Sequence, residues 1–365
     1  MLLFLLVCCS GPQADASLSL TSPFTKAWSY LTTDTLRYKE AVSDGQNVYV
    51  PLEGGQILAL KVHSGERSWT AKSDGELIAG LQVDDRSVYL ATASASESDE
   101  KTPSFLVALD KRTGEVLWRR SFDEHITALT QPARADQHGA SRLYVGTASG
   151  WLIALHPPTQ EPIWKFQSIA AIRGHISQHE AVVYVGSDDG ALYAVDAETG
   201  KERWRFRSRG PVRSGVEMSA NRIYFGSFDG AVYCLDKQTG KRRWMMQTGG
   251  AIQARPLLAD ENLIVGSYDN FVYSVDPHSG ARRWKVNVGG RIIADPMAQG
   301  DAILISVLRD HKVVVLHGDN GREINSLELG QGIEIVAAPV VGDDVLILTT
   351  NQGVIAARTL STNKS

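Results

Sequence analysis

The sequence predicts an all-β protein, an eight-bladed β-propeller of four-stranded antiparallel blades, and three observations carry that prediction. Tryptophans recur at Trp28, Trp69, Trp118, Trp164, Trp204, Trp244 and Trp284, with Asn325 where the next would fall, at intervals of 41, 49, 46, 40, 40, 40 and 41 residues. Self-similarity of this period marks a propeller or solenoid. Each period holds short runs rich in Val, Ile and Tyr, separated by Asp-Gly and Thr-Gly turns, a pattern of strands and tight hairpins. The last period lacks an outer strand, and residues 25–29 around Trp28 supply one from the other end of the chain, which closes the ring and removes an exposed sheet edge.

In chain order, residues 1–16 differ in kind from the rest. Residues 2–7 are apolar and run into Cys8-Cys9-Ser10-Gly11, followed by Ala14-Asp15-Ala16. The run is too short to span a bilayer and reads as an export signal. An apolar stretch before Cys9 resembles a bacterial lipoprotein signal, in which that cysteine is lipidated and becomes the new N-terminus. Cleavage after Ala16, releasing a soluble periplasmic or secreted protein, is the competing reading. Residues 17–24 then form a tether, 25–360 the propeller and 361–365 a tail.

Blade four shows the repeat most clearly. Residues 182–187 and 191–196 read as strands joined by Asp188-Asp189-Gly190, where the turn needs a residue at positive φ. The turn from Asp196 to Gly200 fits an aspartate bonding nearby backbone N–H groups, and the outer strand carries Trp204. A further strand over residues 170–178 completes the four. Near-continuous apolar strands imply burial on both faces, as when blades pack around a ring. The outer-strand tryptophan is expected to plug the gap to the neighbouring blade, with its indole N–H on a backbone carbonyl. Blade three has His156-Pro157-Pro158-Thr159-Gln160 in place of the Asp-to-Gly turn yet keeps Trp164. Blade seven keeps Asn320-Gly321 but ends on Asn325, so its plug is missing or filled differently.

Composition bounds function more weakly. Apolar residues make up 43% and charged residues 21% of 365, and the formal net charge is -4, which argues against a polyanion-binding surface and a nucleic-acid partner. Beyond Cys8 and Cys9 the single cysteine is Cys234, in an apolar strand, where it reads as a small buried hydrophobe. The repeated Asp110, Asp196, Asp236 and Asp276 lie at equivalent places around the periphery, so they cap their own turns and cannot converge on one metal. His175 and His179 have zinc-helix spacing but fall on a strand, and read as solvated loop histidines. No phosphate loop, nucleophile elbow or cysteine knuckle is present in the sequence, so neither a cofactor nor a metal is expected and the chain reads as non-enzymatic.

The repeat Tyr-x-Gly-x-x-Asp-Gly-x-x-Tyr-x-x-Asp-x-x-Thr-Gly-x-x-x-Trp resembles that of the pyrroloquinoline-quinone-like propellers, over residues 25–360. Among them the chain is most similar to the BamB family, lipoprotein scaffolds of the outer-membrane β-barrel assembly machinery. That resemblance implies a periplasm-facing outer-membrane protein, held by a lipid anchor, that docks the barrel-inserting subunit. Partner contacts in that family lie in a Leu-x-Leu-Arg-Gly segment, with two aspartates one blade later. Ile172-Arg173-Gly174 matches the first, and residues 211–218 offer only Glu217 for the second. Two alternatives remain: a periplasmic ligand-binding or sensory propeller, and a quinone-dependent dehydrogenase. The dehydrogenases are longer, with a vicinal disulfide, calcium and a catalytic aspartate on long insertions.

Inner-strand starts should line the central channel and its rim. Arg37, Arg173, Arg213, Gln253, Arg291 and Glu334 fall there, with His175, Arg255 and Asp295 close behind. From these, Ile172, Arg173, Arg213, Arg255, Arg291 and Glu334 are the expected partner-binding residues, their mixed charge suiting a polar protein or peptide. A Ser- and Glu-rich insertion at residues 93–104 of blade two should project from the same rim.

Overall fold

The computed structural model describes residues 19–32, 40–93, 103–130, 133–134, 141–307, 310–341 and 344–359. The signal with Cys9, the start of the tether, Arg37, residues 94–102 of the blade-two insertion and the tail lie outside them.

The chain forms eight antiparallel sheets in sequence order. Blade four runs outward from the channel as Ile176–His179, Val182–Gly186, Ala191–Asp196 and Glu202–Arg207. Its second strand is buried throughout and its third up to the terminal Asp196, whereas the outer strand alternates exposed and half-buried residues. That difference follows from position: middle strands are sandwiched between two neighbouring blades, and the outer strand is not. The hydrophobic core is eight clusters, one between each adjacent pair of blades. One of them joins Val48, Leu58 and Leu60 of blade one to Val345, Ile347 and Val354 of blade eight, so the ring is closed.

Closure is made by the N-terminal strand. Phe24–Leu31 pairs antiparallel with Gly353–Thr359 as the outer strand of blade eight, and the Trp28 indole donates to the Val62 carbonyl of blade one at 2.8 Å. The other plugs repeat the geometry. Trp69, Trp164, Trp204, Trp244 and Trp284 donate to the carbonyls of Lys111, Ala197, Lys237, Pro277 and Gly318 at 2.8–3.1 Å. Trp118 packs on Tyr89 of its own blade at 6.0 Å between ring centroids.

A bulge interrupts the register just before each tryptophan of blades four to six, pairing Ala194 with Trp204 but Val195 with Glu202. The skipped residues Arg203, Arg243 and Arg283 reach back to Asp196, Asp236 and Asp276 at 2.6–2.8 Å. The other oxygen of each aspartate accepts the backbone N–H groups two and three residues on, as Glu198 and Thr199 do for Asp196 at 3.1 and 2.8 Å. Each carboxylate is consumed by its own turn.

One strand differs from expectation. The inner strand of blade four begins at Ile176, not residue 170, because residues 170–175 cross between blades: Ile172 N–H bonds to the Thr147 carbonyl of blade three, and Asp188 N–H to that of Ala171.

Candidate partner-binding rim

In a four-stranded up-and-down blade, the loops joining strands two and three share one face of the ring with the crossings into the next blade. The candidate site lies on that face. The crossing segments of blades four to seven each bury an aliphatic plug, Ile172, Val212, Ile252 and Ile292, all 0% exposed. Opposite three of them is the glycine of the preceding blade's Gly-Ser or Gly-Thr step: a Cβ on Gly146, Gly226 or Gly266 would lie 2.1–2.6 Å from the isoleucine methyl. This corrects the sequence reading of Ile172, whose side chain is interior packing and is not available to a partner.

The residue after each plug points to the channel mouth. Its neighbour is the second position of the Ser-x-Asp-Gly or Ser-x-Asp-Asn turn, Asp188, Phe228 or Tyr268, because the N–H of that residue bonds to the crossing segment at Ala171, Pro211 or Ala251, each 2.9 Å away. Asp188 accepts Arg173 Nε at 3.0 Å and Arg213 Nε and Nη2 at 2.7 and 3.0 Å. The Arg213 guanidinium also lies over the Phe228 ring at 5.0 Å, and Phe228 packs edge-on against Tyr268 at 5.8 Å. Arg291 lies 5.8 Å from the Tyr268 ring centre, while the Tyr268 hydroxyl donates to Gln253 Oε1. Burial pushes the Tyr268 phenol above its ordinary value, against the pull of Arg213 and Arg291. Arg173, Asp188, Arg213, Phe228, Tyr268 and Arg291 thus form one continuous chain of contacts across four blades.

The structure brings the expected Arg173, Arg213 and Arg291 together with Asp188, Phe228 and Tyr268, which sequence reasoning had not singled out. The signal was available, since the latter three occupy the most variable position of a repeated turn. Ile169, 70% exposed beside the same crossing, was also missed. Arg255 sits deeper in the channel, where its Nε lies 3.4 Å from Asp295 Oδ2 and its backbone N–H donates to Asp295 Oδ1 at 2.7 Å. Glu217 nearby has its carboxyl raised by burial, with Arg255 opposing. Glu334 lies apart, exposed, in the approach to blade eight, where its N–H donates to Asn351 Oδ1 at 2.9 Å. The blade-two insertion springs from the pair Ala93 and Ser104, which is on the rim face.

Beside this chain of contacts is a cavity of about 540 Å³ lined by Glu40, His175, Gln253, Tyr268 and Arg291, with an apolar wall that includes Ile293 and Val336. A second cavity of about 330 Å³ shares Glu40, His175 and Gln253 and reaches Arg173 and Arg213.

A family model described as outer membrane protein assembly factor BamB matches residues 25–167, 103–212, 148–231 and 193–365. The chain belongs to the BamB family of pyrroloquinoline-quinone-like propellers.

Among solved structures, BamB from Moraxella catarrhalis is similar at a TM-score of 0.74 and 17% identity, over 94% of this chain and 99% of that one. Two others match the fold as well. The computationally designed Ika8 protein gives a TM-score of 0.75 at 15% identity, over 92% of this chain and 99% of that one. Quinohemoprotein alcohol dehydrogenase from Comamonas testosteroni gives 0.74 at 13%, over 93% of this chain and 77% of that one. Among curated proteins, 1-butanol dehydrogenase (quinone) of Thauera butanivorans is 28% identical over 176 residues, 42% of this chain and 26% of the relative. Quinoprotein ethanol dehydrogenase of Pseudomonas aeruginosa is 29% identical over 198 residues, 47% of this chain and 30% of the relative. The chain therefore spans under a third of the length of the curated relatives it matches.

Among the described residues no three His, Cys, Asp or Glu side chains converge to hold a metal ion, and the cysteine there, Cys234, is buried in blade five. Burial pushes its thiol up to about 12, which disfavours the thiolate form.

Proposed function

We propose that the chain is a non-enzymatic scaffold on the periplasmic side of the bacterial outer membrane. It docks protein partners through the rim of blades four to seven in the assembly of β-barrel outer-membrane proteins, and its principal partner is the barrel-inserting subunit of that machinery. Cys9 supplies the lipid anchor, and the several acyl chains of a bacterial lipoprotein give stable attachment where a single chain would be marginal.

The observation that carries this reading is the contact chain from Arg173 to Arg291. Arginine and aromatic residues dominate the energetics of protein interfaces. Here they are held in place before any partner arrives, by Asp188 between two guanidiniums and by ring contacts between Phe228 and Tyr268. A preordered surface loses less side-chain entropy on docking. Membership in the BamB family supports the same reading.

The test is a photo-reactive amino acid placed at position 228 or 268 in cells. Illumination should give an adduct with the barrel-inserting subunit, and the same probe at position 238, on the opposite face, should not. Adducts confined to unrelated envelope proteins would refute the assignment of partner.

A further inference from the structure

Among the described residues, two ionic groups at the channel mouth form no ion pair. The Arg291 guanidinium is exposed, its contact is the Tyr268 ring, and no carboxylate among the described residues reaches it within ion-pair distance. Glu40, which lines the same cavity, makes neither an ion pair nor a side-chain hydrogen bond with any described residue. This sets them apart from their neighbours, since Arg173 and Arg213 share Asp188 and Arg255 is held by Asp295. The channel walls desolvate the Glu40 carboxyl and raise its pKa, with His175 opposing and Asp295 adding to the rise. A carboxylate so placed gains from a cation brought to it.

The remaining lining is complementary. Gln253 has its carbonyl oxygen occupied by the Tyr268 hydroxyl, which fixes the amide and leaves its N–H groups to donate into the cavity. Ile293 and Val336 contribute apolar wall between the polar groups. At about 540 Å³ the cavity is within the roughly 300–1,000 Å³ typical of small-ligand pockets. One anion site, one cation site and an apolar wall in a single cavity describe a ligand that carries both charges on an apolar body.

We infer that the channel mouth binds a short peptide with free termini, its terminal carboxylate on Arg291 and Gln253, its ammonium on Glu40, and an apolar side chain against Ile293 and Val336. The site is distinct from partner docking in that it needs only the isolated protein. Capture of a terminal carboxylate by a preoriented arginine and amide is a recurring recognition mode.

The experiment is calorimetric titration of the purified protein with Ala-Ala-Leu and with its N-acetylated and C-amidated forms. The free peptide should bind saturably, and each cap should weaken it at least about ten-fold, the loss expected for one charge-assisted contact. Arg291→Gln should lower affinity for the free peptide by a similar factor and abolish the penalty for amidation, while keeping the penalty for acetylation. Glu40→Gln should do the converse. Both side chains lie outside the interblade clusters, so unchanged melting temperatures would confirm that the variants fold. Absence of saturable binding, indifference to both caps, or a penalty pattern that does not follow the substituted residue would each overturn the inference.

Discussion

Asn325 donates from its amide nitrogen to the carbonyl oxygens of Leu20 and Ser22, at 2.9 and 2.7 Å. It stands where blades one to six carry a tryptophan, whose indole in all of them but blade two donates to the next blade's outer turn. Blade eight has no such turn, because its third strand leads to the C-terminus and its outer strand comes from the N-terminus. Residues 19–22 form a turn in its place, with Ser22 N–H on the Ser19 carbonyl at 3.1 Å. Leu20, 3% exposed, fills the plug and packs with Leu304, Val315, Leu346 and Leu348. The missing tryptophan is thus replaced by a leucine from the far end of the chain and an amide that ties it down.

Leu20→Ala should accordingly cost about 2–5 kcal/mol, as large-to-small changes in a close-packed site do. Asn325→Ala should cost about 1–2 kcal/mol by leaving two carbonyls without their donor. Chemical denaturation measures both, and a midpoint for Leu20→Ala equal to that of the unmodified protein would contradict the closure described.

Gln160 occupies the position held by glycine in the other outer turns, with φ at 61°. At the equivalent Gly200, with φ at 71°, an added Cβ would lie 2.7 Å from the Trp164 ring. By the same register Gln160 crowds Trp118. Gln160→Gly should stabilise the protein by up to about 1 kcal/mol, the relief of left-handed strain less the added chain entropy. Gly200→Gln should destabilise by roughly 2–4 kcal/mol. Paired thermal melts test both signs, and a loss of stability in Gln160→Gly would count against the crowding.

Acid should weaken the outer turns. A hydrogen bond from Arg243, followed by those from Thr239, holds the Asp236 carboxyl down to about 2. At Asp196 burial pushes upward, but Arg203 and Thr199 outweigh it, again to about 2. Both folded values lie below the ordinary 3.8, so the stability these groups contribute is present above about pH 4 and is lost as pH falls towards 2. Solvent screening keeps each contribution small, because both turns are exposed. Melting temperature against pH should fall less steeply between pH 4 and 2 in an Asp196→Asn, Asp236→Asn double variant, and parallel curves would remove these groups from the account.

Much of this was legible in the sequence because repeats announce themselves. Eight blades, the N-terminal closing strand and the indole-to-carbonyl plugs all follow from the spacing of tryptophans and Asp-Gly turns. What the repeat hid was what does not repeat. Asp188, Phe228 and Tyr268 sit at a position that the pattern writes as variable, and only the backbone bond to the crossing segment reveals that it faces the channel. Ile172 was misplaced for the opposite reason: adjacent to Arg173 in sequence, it points the other way, into a gap that exists only because Gly146 lacks a side chain. The substitute for the eighth tryptophan is 305 residues away from Asn325 and shares no pattern with it.

The rim claim is tested most directly by recovery of the barrel-inserting subunit with the tagged protein from a cross-linked envelope fraction. Three forms are compared: unmodified, an Arg213→Glu, Phe228→Ala double variant, and a Gln238→Ala control on the opposite face. The account predicts strong recovery with the unmodified and control forms and at least a ten-fold loss with the rim variant at equal protein level. Equal recovery from all three would contradict it.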